Sequence, residues 1–158
     1  MRRICHSKGG AMKDIKFRAY DVQECEMFKN DSIAFIDFKN KIIRIENNHY
    51  SYFEEINEYG IILMQYTGIK DKNDTEVYEG DVIKYSSDVI NSFYGVSEII
   101  REVKFKHGTY GIEGCEKDTH IPFGNILKCK IEVIGNIYEN SKLRRNIYGT
   151  SKSWSKSR

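Results

Sequence analysis

Residues Leu63 to Tyr85, LMQYTGIKDKNDTEVYEGDVIKY, contain the densest turn chemistry in the chain. An apolar run from Ile61 to Tyr66 is followed by Asn73-Asp74, two residue types that tolerate the left-handed region, although Asn-Gly would do so at less cost. Glu76 to Tyr78 returns as a strand, Gly80-Asp81 turns again, and Val82 to Tyr85 continues as a third strand. This arrangement specifies a β-hairpin and a Gly-Asp turn. It specifies no reaction.

The same alternation extends outward. Ile15, Phe17 and Ala19 alternate with Lys16, Arg18 and Tyr20, as in a half-buried strand. Ser32 to Phe38 and Lys41 to Glu46 read as a hairpin turning at Lys39-Asn40. Ser51-x-x-Glu54 is a capping-box pattern, with Phe53 and Ile56 on one side and Gly60 as a stop, so a short helix is expected over 52–58. Ser86 to Gly95 is polar and irregular, as in a loop. In the strand from Ile99 to Lys106, Val103 and Phe105 face one way and Glu102, Lys104 and Lys106 the other. His107-Gly108 turns into Thr109 to Ile112. Leu127, Cys129, Ile131 and Val133 alternate with Lys128, Lys130 and Glu132, and Gly135 marks a bulge before Ile137 and Tyr138. A helical turn is expected over 140–146.

Length and composition suit one domain or a small core with an appendage. The chain has 158 residues, 40% hydrophobic and 30% charged, with 13% aromatics and a single proline. That balance is globular and favours strands. No apolar run approaches the ~20 residues of a membrane span. Arg2 and Arg3 are followed by no apolar segment of the signal-peptide kind, so a cytoplasmic address is expected. The four cysteines form no C-x-x-C pair. They read as reduced thiols.

A net charge of +2 hides an asymmetry. Residues 1–11 hold three cations and no acid, and residues 142–158 hold six cations and no acid. The segment between them carries 16 cations against 23 acids. Phosphate backbones are bound chiefly by excess cations, so nucleic-acid binding through this acidic core is disfavoured. The basic end is different. Arg144, Arg145, Lys152, Lys156 and Arg158 interleave with Tyr148 and Trp154, a composition that can track phosphates and stack on bases. A solvated, disordered terminus that keeps the protein soluble is the favoured reading.

Residues 1–11 are unpatterned, and Lys8-Gly9-Gly10 can be encoded by AAA-GGA-GGN, a ribosome-binding sequence just upstream of an ATG. Met12 is therefore expected to be the native start, with a translated leader before it. The domain division that follows is a leader over 1–11, a β-rich part over 12–60, a barrel over 61–141 and a basic tail over 142–158. Gly149 onward is Ser- and Lys-rich and is expected to be disordered.

Sites that could carry chemistry are few. His107, Cys115, His120 and Cys129 supply a tetrahedral set of types, but structural zinc sites usually show paired ligands two to four residues apart, and here the gaps are seven, four and eight. Cys129 also shares a strand face with Leu127 and Ile131, where a small buried hydrophobe fits. Cys115 with His120 and Asp118 supplies the types of a nucleophilic trio in a loop. Glu79 with Asp81 pairs two acids, although acids beside glycine are commonly turn formers. Gly108, Gly111 and Gly114 lack the G-K-[ST] and strand-to-helix frame of a phosphate loop. No metal, cofactor or catalytic residue is assigned.

The run from Met64 to Tyr85 resembles the signature of the YopX family of phage and prophage proteins. The segments KFRAYD (Lys16 to Asp21), EVKF (Glu102 to Phe105) and EVIGNIYEN (Glu132 to Asn140) match its pattern as well. The ordered combination of YTG-x-KDKN, YEGD and IGN-x-YEN carries the likeness, through Tyr66, Thr67, Gly68, Asp71, Asn73, Tyr78, Glu79, Gly80, Asp81, Gly135, Asn136 and Tyr138. Asp74 stands where the family usually has glycine, and Ser141 where it usually has proline. The resemblance implies a mainly β fold with a C-terminal SH3-like β-barrel, a smaller N-terminal β-rich (α+β) part and a short C-terminal helical turn. It also implies a homo-oligomer, a phage or prophage source and no assigned activity. A non-enzymatic protein that binds itself and a host or phage protein is the expectation, with nucleic-acid binding through Arg144, Arg145, Lys152, Trp154 and Lys156 as the alternative.

Overall fold

A computed structural model describes residues 14–86, 98–114, 119–126 and 130–148. Its strands are β1 (Phe17–Asp21), β2 (Glu26–Phe28), β3 (Ile33–Asp37), β4 (Ile42–Glu46), β5 (Ser51–Glu55), β6 (Ile61–Lys70), β7 (Glu76–Tyr78), β8 (Asp81–Ser86), β9 (Glu98–Lys106), β10 (Thr109–Glu113), β11 (His120–Pro122) and β12 (Ile131–Asn136). One helix, α1 (Ser141–Tyr148), follows. The protein is mainly β.

The strands form three antiparallel sheets, ordered β2-β1-β6-β7, β11-β10-β9-β8-β12 and β3-β4-β5. The period-2 patterning builds two cores. Ala19, Phe28, Ile43, Ile45 and Ile61 make the first, where the β3-β4-β5 sheet covers β1, β2 and β6. Val77, Ile83, Ile99, Val103, Ile112 and Ile131 form the centre of the second. The ten-residue β6 runs past both, pairing with β1 along one stretch and with β7 along the next. Gly68, at φ 88°, lies in the register shift within the β6–β7 pairing, between Tyr66 and Lys70. Residues with side chains would be strained there.

The hairpin readings hold. β3 pairs with β4, and β9 with β10 through His107 and Gly108, both at positive φ. Asp74 sits at φ 65°, the left-handed position that the Asn73-Asp74 turn requires. Gly135 interrupts the β12–β8 register as a bulge. Asn140 caps the last helix, its carbonyl accepting the Arg144 N–H.

Other expectations fail. Residues 51–55 form strand β5, not the first turn of a helix, because each pairs with a residue of β4. Two aromatics in a row suit a strand, and the sheet partner overrides the capping pattern. Along β9 the two faces do not divide into one buried and one exposed: Glu102 and Val103 are both buried, while Phe105 is half exposed at the strand's far end. Both faces of β1 are covered toward its C-terminal end, where Ala19, Tyr20 and Asp21 are all buried. Strands β2 and β11 were not anticipated. The leader, residues 87–95 of the proposed loop, Cys115, Asp118, Leu127, Cys129 and the tail from Gly149 lie outside the described residues. No helix among the described residues is long and apolar enough to cross a membrane.

Candidate functional site

The signature residues converge where β1, β7 and β8 meet. Arg18 on β1 reaches across to Asp81 at the start of β8, 2.5 Å away, and Asp81 is 1% exposed. The same guanidinium lies 5.0 Å from the Tyr78 ring centroid and donates to the Glu79 carbonyl. The other Asp81 oxygen accepts the Tyr78 N–H at 2.7 Å. Burial raises the Asp81 carboxyl above its ordinary range, with Arg18 and the Tyr78 N–H acting against it. Gly80 turns between them at φ 79°, and a Cβ there would lie 2.7 Å from the Tyr138 ring. Tyr138 stacks on Tyr20 with ring centroids 5.5 Å apart. Its phenol is pushed up to about 12 by burial and then by the neighbouring Glu102 and Glu79.

The rest of the signature is equally committed to internal bonds. Asp71 accepts the N–H groups of Asn73, Thr75 and Val133, tying the β6–β7 turn to β12. Burial raises its carboxyl, but these N–H groups outweigh burial and hold it low. Thr67 donates its hydroxyl to the Val77 carbonyl. Asn136 accepts the N–H groups of Tyr138 and Glu139. The Tyr66 and Tyr78 rings pack 5.5 Å apart, with Lys16 bridging to Glu76 beside them. The signature is thus a set of cross-braces between strands distant in sequence. The Glu79–Asp81 pair does not open as two free carboxylates, because Asp81 is held by Arg18. Arg18 is the participant that sequence reasoning missed. Its only signal was membership of the KFRAYD segment, since a cation on an alternating strand reads as solvent-facing.

Among the described residues, a groove and an exposed sheet face are open to a ligand. A groove of about 380 Å³ runs between β5 and the β1–β2 turn, lined by Asp21, Gln23, Glu24, Glu26, Tyr50, Tyr52 and Glu54. Its floor is built: Asp21 accepts the N–H groups of Gln23 and Glu24 and the Tyr52 hydroxyl. Burial, then the bond to Asp21, pushes the Tyr52 phenol up. On the opposite face of the β3-β4-β5 sheet, Phe35, Arg44 and Phe53 stand in register across the three strands. Phe35 and Phe53 are 52% and 62% exposed, and Arg44 lies over the Phe53 ring.

Other candidates are dispersed or undescribed. His107 and His120 pack edge to face at 6.1 Å, and burial lowers the His120 imidazole below its usual range. Their proposed partners Cys115, Asp118 and Cys129 lie outside the described residues. Among the described residues, no group of three or more His, Cys, Asp or Glu side chains could hold a metal ion. Arg144 and Arg145 lie on α1; Lys152, Trp154 and Lys156 lie outside the described residues.

Comparison with known proteins places this geometry in context. The family model described as YopX protein matches residues 16–144. The crystal structure of protein EF1440 from Enterococcus faecalis is 26% identical, with a TM-score of 0.54 over 82% of this chain and 97% of that one. The crystal structure of protein yopX from Bacillus subtilis is 22% identical, with a TM-score of 0.58 over 81% of this chain and 96% of that one. No curated protein matches the chain.

Proposed function

We propose that this chain, which belongs to the YopX family, is a non-enzymatic phage or prophage accessory protein of the bacterial cytoplasm that acts by binding copies of itself and a host or phage protein. The observation that carries this reading is the exposed aromatic surface of the N-terminal part. Ile15, Phe35, Phe38, Tyr50, Phe53 and Tyr59 are all substantially exposed, against only Ile100 and Phe105 among the described residues beyond Gly60. Exposed apolar side chains grouped on one face mark interaction surfaces, and Phe35 and Phe53 share one face of the β3-β4-β5 sheet. The Phe35–Arg44–Phe53 row supplies two aromatic anchors with a cation between them, residue types enriched at binding hot spots. The signature residues, bonded among themselves, support the fold beneath it.

Sedimentation velocity tests this. The intact chain should sediment as an assembly, and Phe35→Ser combined with Phe53→Ser should shift it toward the monomer while leaving the urea midpoint close to that of the parent. A monomer at every concentration would overturn self-association; an unaltered assembly in the double variant would acquit this face.

The cation excess of 142–158 supports a second reading, nucleic-acid binding through Arg144, Arg145, Lys152, Trp154 and Lys156. Fluorescence anisotropy with single-stranded DNA would then show binding that weakens steeply with salt. We also read residues 61–141 as an SH3-like barrel. Support comes from the five-stranded antiparallel order and the single core beneath it.

A further inference from the structure

β5 is an edge strand of the β3-β4-β5 sheet. The bonds Ile56 N–H to Lys41 O and Asn47 N–H to Tyr50 O fix the phase of its ladder to β4. Antiparallel alternation then turns the main-chain groups of Tyr52 and Glu54 toward β4, and those of Ser51 and Phe53 away from it. Among the described residues, no hydrogen bond reaches those outward groups. The open edge ends at Glu55, whose N–H donates to the Glu54 carboxylate and whose carbonyl lies against Gly60. What remains is the N–H and C=O of Ser51 and Phe53, enough to pair with a short extended segment.

The inner face beside that edge is acidic. Tyr52 and Glu54 line the groove of about 380 Å³, whose other wall is the β1–β2 turn and the start of β2. Asp21, Glu24, Glu26 and Glu54 are all among its lining residues, and no cation is. Asp21 is taken up by internal bonds, so the charge offered to a ligand comes from the other three. Tyr50 and Tyr52 add two rings with centroids 5.8 Å apart. A cation here gains carboxylate and ring contacts together. Acids alone would attract any cation; the open edge beside them selects a polypeptide. Side chains alternate along a strand, so an added segment would place the two residues opposite Tyr52 and Glu54 over the groove. The residue between them would lie on the outer face beside the exposed Phe53 ring. Lys or Arg suits the two groove positions, and a β-branched side chain suits the position across from an aromatic one.

We propose that the open edge of β5 captures an extended segment of a partner protein, with two cations at alternate positions around a β-branched residue, by strand addition over the acidic tyrosine groove. This gives the partner's chemistry for the protein-binding reading above and rests on it, but it needs no self-association. Main-chain bonds hold the segment, and the groove selects its charge. The contact is short and its rim is open to solvent, so it is weak and salt-sensitive.

The probe is a fluorescein-labelled peptide of alternating threonine and lysine, titrated with the full chain and followed by anisotropy. It should bind at low salt and weaken as salt rises, whereas a peptide of alternating threonine and glutamate should not bind. Glu24→Lys with Glu54→Lys should weaken binding about tenfold or more, while Glu46→Lys on the opposite face should leave it intact; circular dichroism identifies any variant that is unfolded. N-methylation of the peptide tests the main-chain bonds without altering the protein. Methylating one alternate set of amides should abolish binding and methylating the other should not: the threonine set for an antiparallel strand, the lysine set for a parallel one. Binding that survives in both methylated peptides would reveal a contact of charges alone and overturn strand addition. Failure of the parent peptide to bind, or an equal loss in Glu46→Lys, would overturn it too. Self-association is read separately, by sedimentation of the Phe35 and Phe53 double variant, so either reading can fail while the other stands.

Discussion

Replacing Arg18 by methionine should cost about 3–5 kcal/mol, the range found when one partner of a buried ion pair is removed. The structure explains why the cost falls at the upper end for a single side chain. Asp81 is 1% exposed and its nearest cation is Arg18, at 2.5 Å. Methionine retains much of the aliphatic packing but leaves that carboxylate uncompensated, and it removes the guanidinium from the Tyr78 ring and the Glu79 carbonyl. For a chain of this length the loss corresponds to roughly 6–20 °C in midpoint. Asp81→Asn should cost less, because the amide oxygen still accepts the Tyr78 N–H and no charge is stranded at the most buried position. Arg18→Met in combination with Asp81→Asn should therefore be more stable than Arg18→Met alone. The pH dependence has a definite sign. Burial already raises the Asp81 carboxyl in the fold, and without Arg18 it rises further. A folded-state value above the unfolded one gives stability at low pH that is lost as pH rises through it, so Arg18→Met should be least damaging in acid. Urea melts of the four proteins at two pH values measure all of this. A loss below about 1 kcal/mol for Arg18→Met, no more than an exposed surface pair contributes, would refute the reasoning. So would Asp81→Asn proving the costlier change.

Gly80→Ala should destabilise by about 2 kcal/mol or more, from positive-φ strain together with the clash against Tyr138; thermal melts measure it. Asp71→Ala removes the acceptor for three backbone N–H groups and should cost about 3 kcal/mol in urea. Asp71 is held low in the fold, so its contribution should be present above the ordinary carboxylate value of about 3.9 and fade as pH falls below it; the Asp71→Ala protein should lack that acid-dependent step. Gly135→Ala would drive a Cβ into Asn140 and Leu143 at φ 145°, loosening the β12 bulge and the start of α1, which hydrogen exchange at residues 136–144 would report.

Much of the fold was legible because its strands alternate and its turns carry their own chemistry. Asp74 and Gly135 reveal backbone geometry without reference to anything remote. The 51–55 segment was misread because Ser51 and Glu54 also satisfy a local helix-start rule, and the deciding partner, β4, is supplied by the sheet. Strand β2 is only three residues long and offers too few positions to show a period. The role of the signature was illegible for a different reason. Its turn formers can be recognised singly, but Arg18 and Asp81 are 63 positions apart in sequence and Asp71 reaches Val133 across 62. Pairings of that kind follow from sheet order, which alternation alone does not give. The groove likewise needs β2, β5 and the β1–β2 turn to be adjacent before four scattered acids become one wall.

The signature residues hold the fold, and the proposed binding surface is the exposed N-terminal face. Hydrogen–deuterium exchange of the full chain at low and high protein concentration tests that division most directly. The predicted result is protection that grows with concentration at residues 33–37 and 51–55, with no concentration dependence at residues 64–81. Concentration-dependent protection confined to 64–81, with 33–37 and 51–55 unaffected, would contradict it.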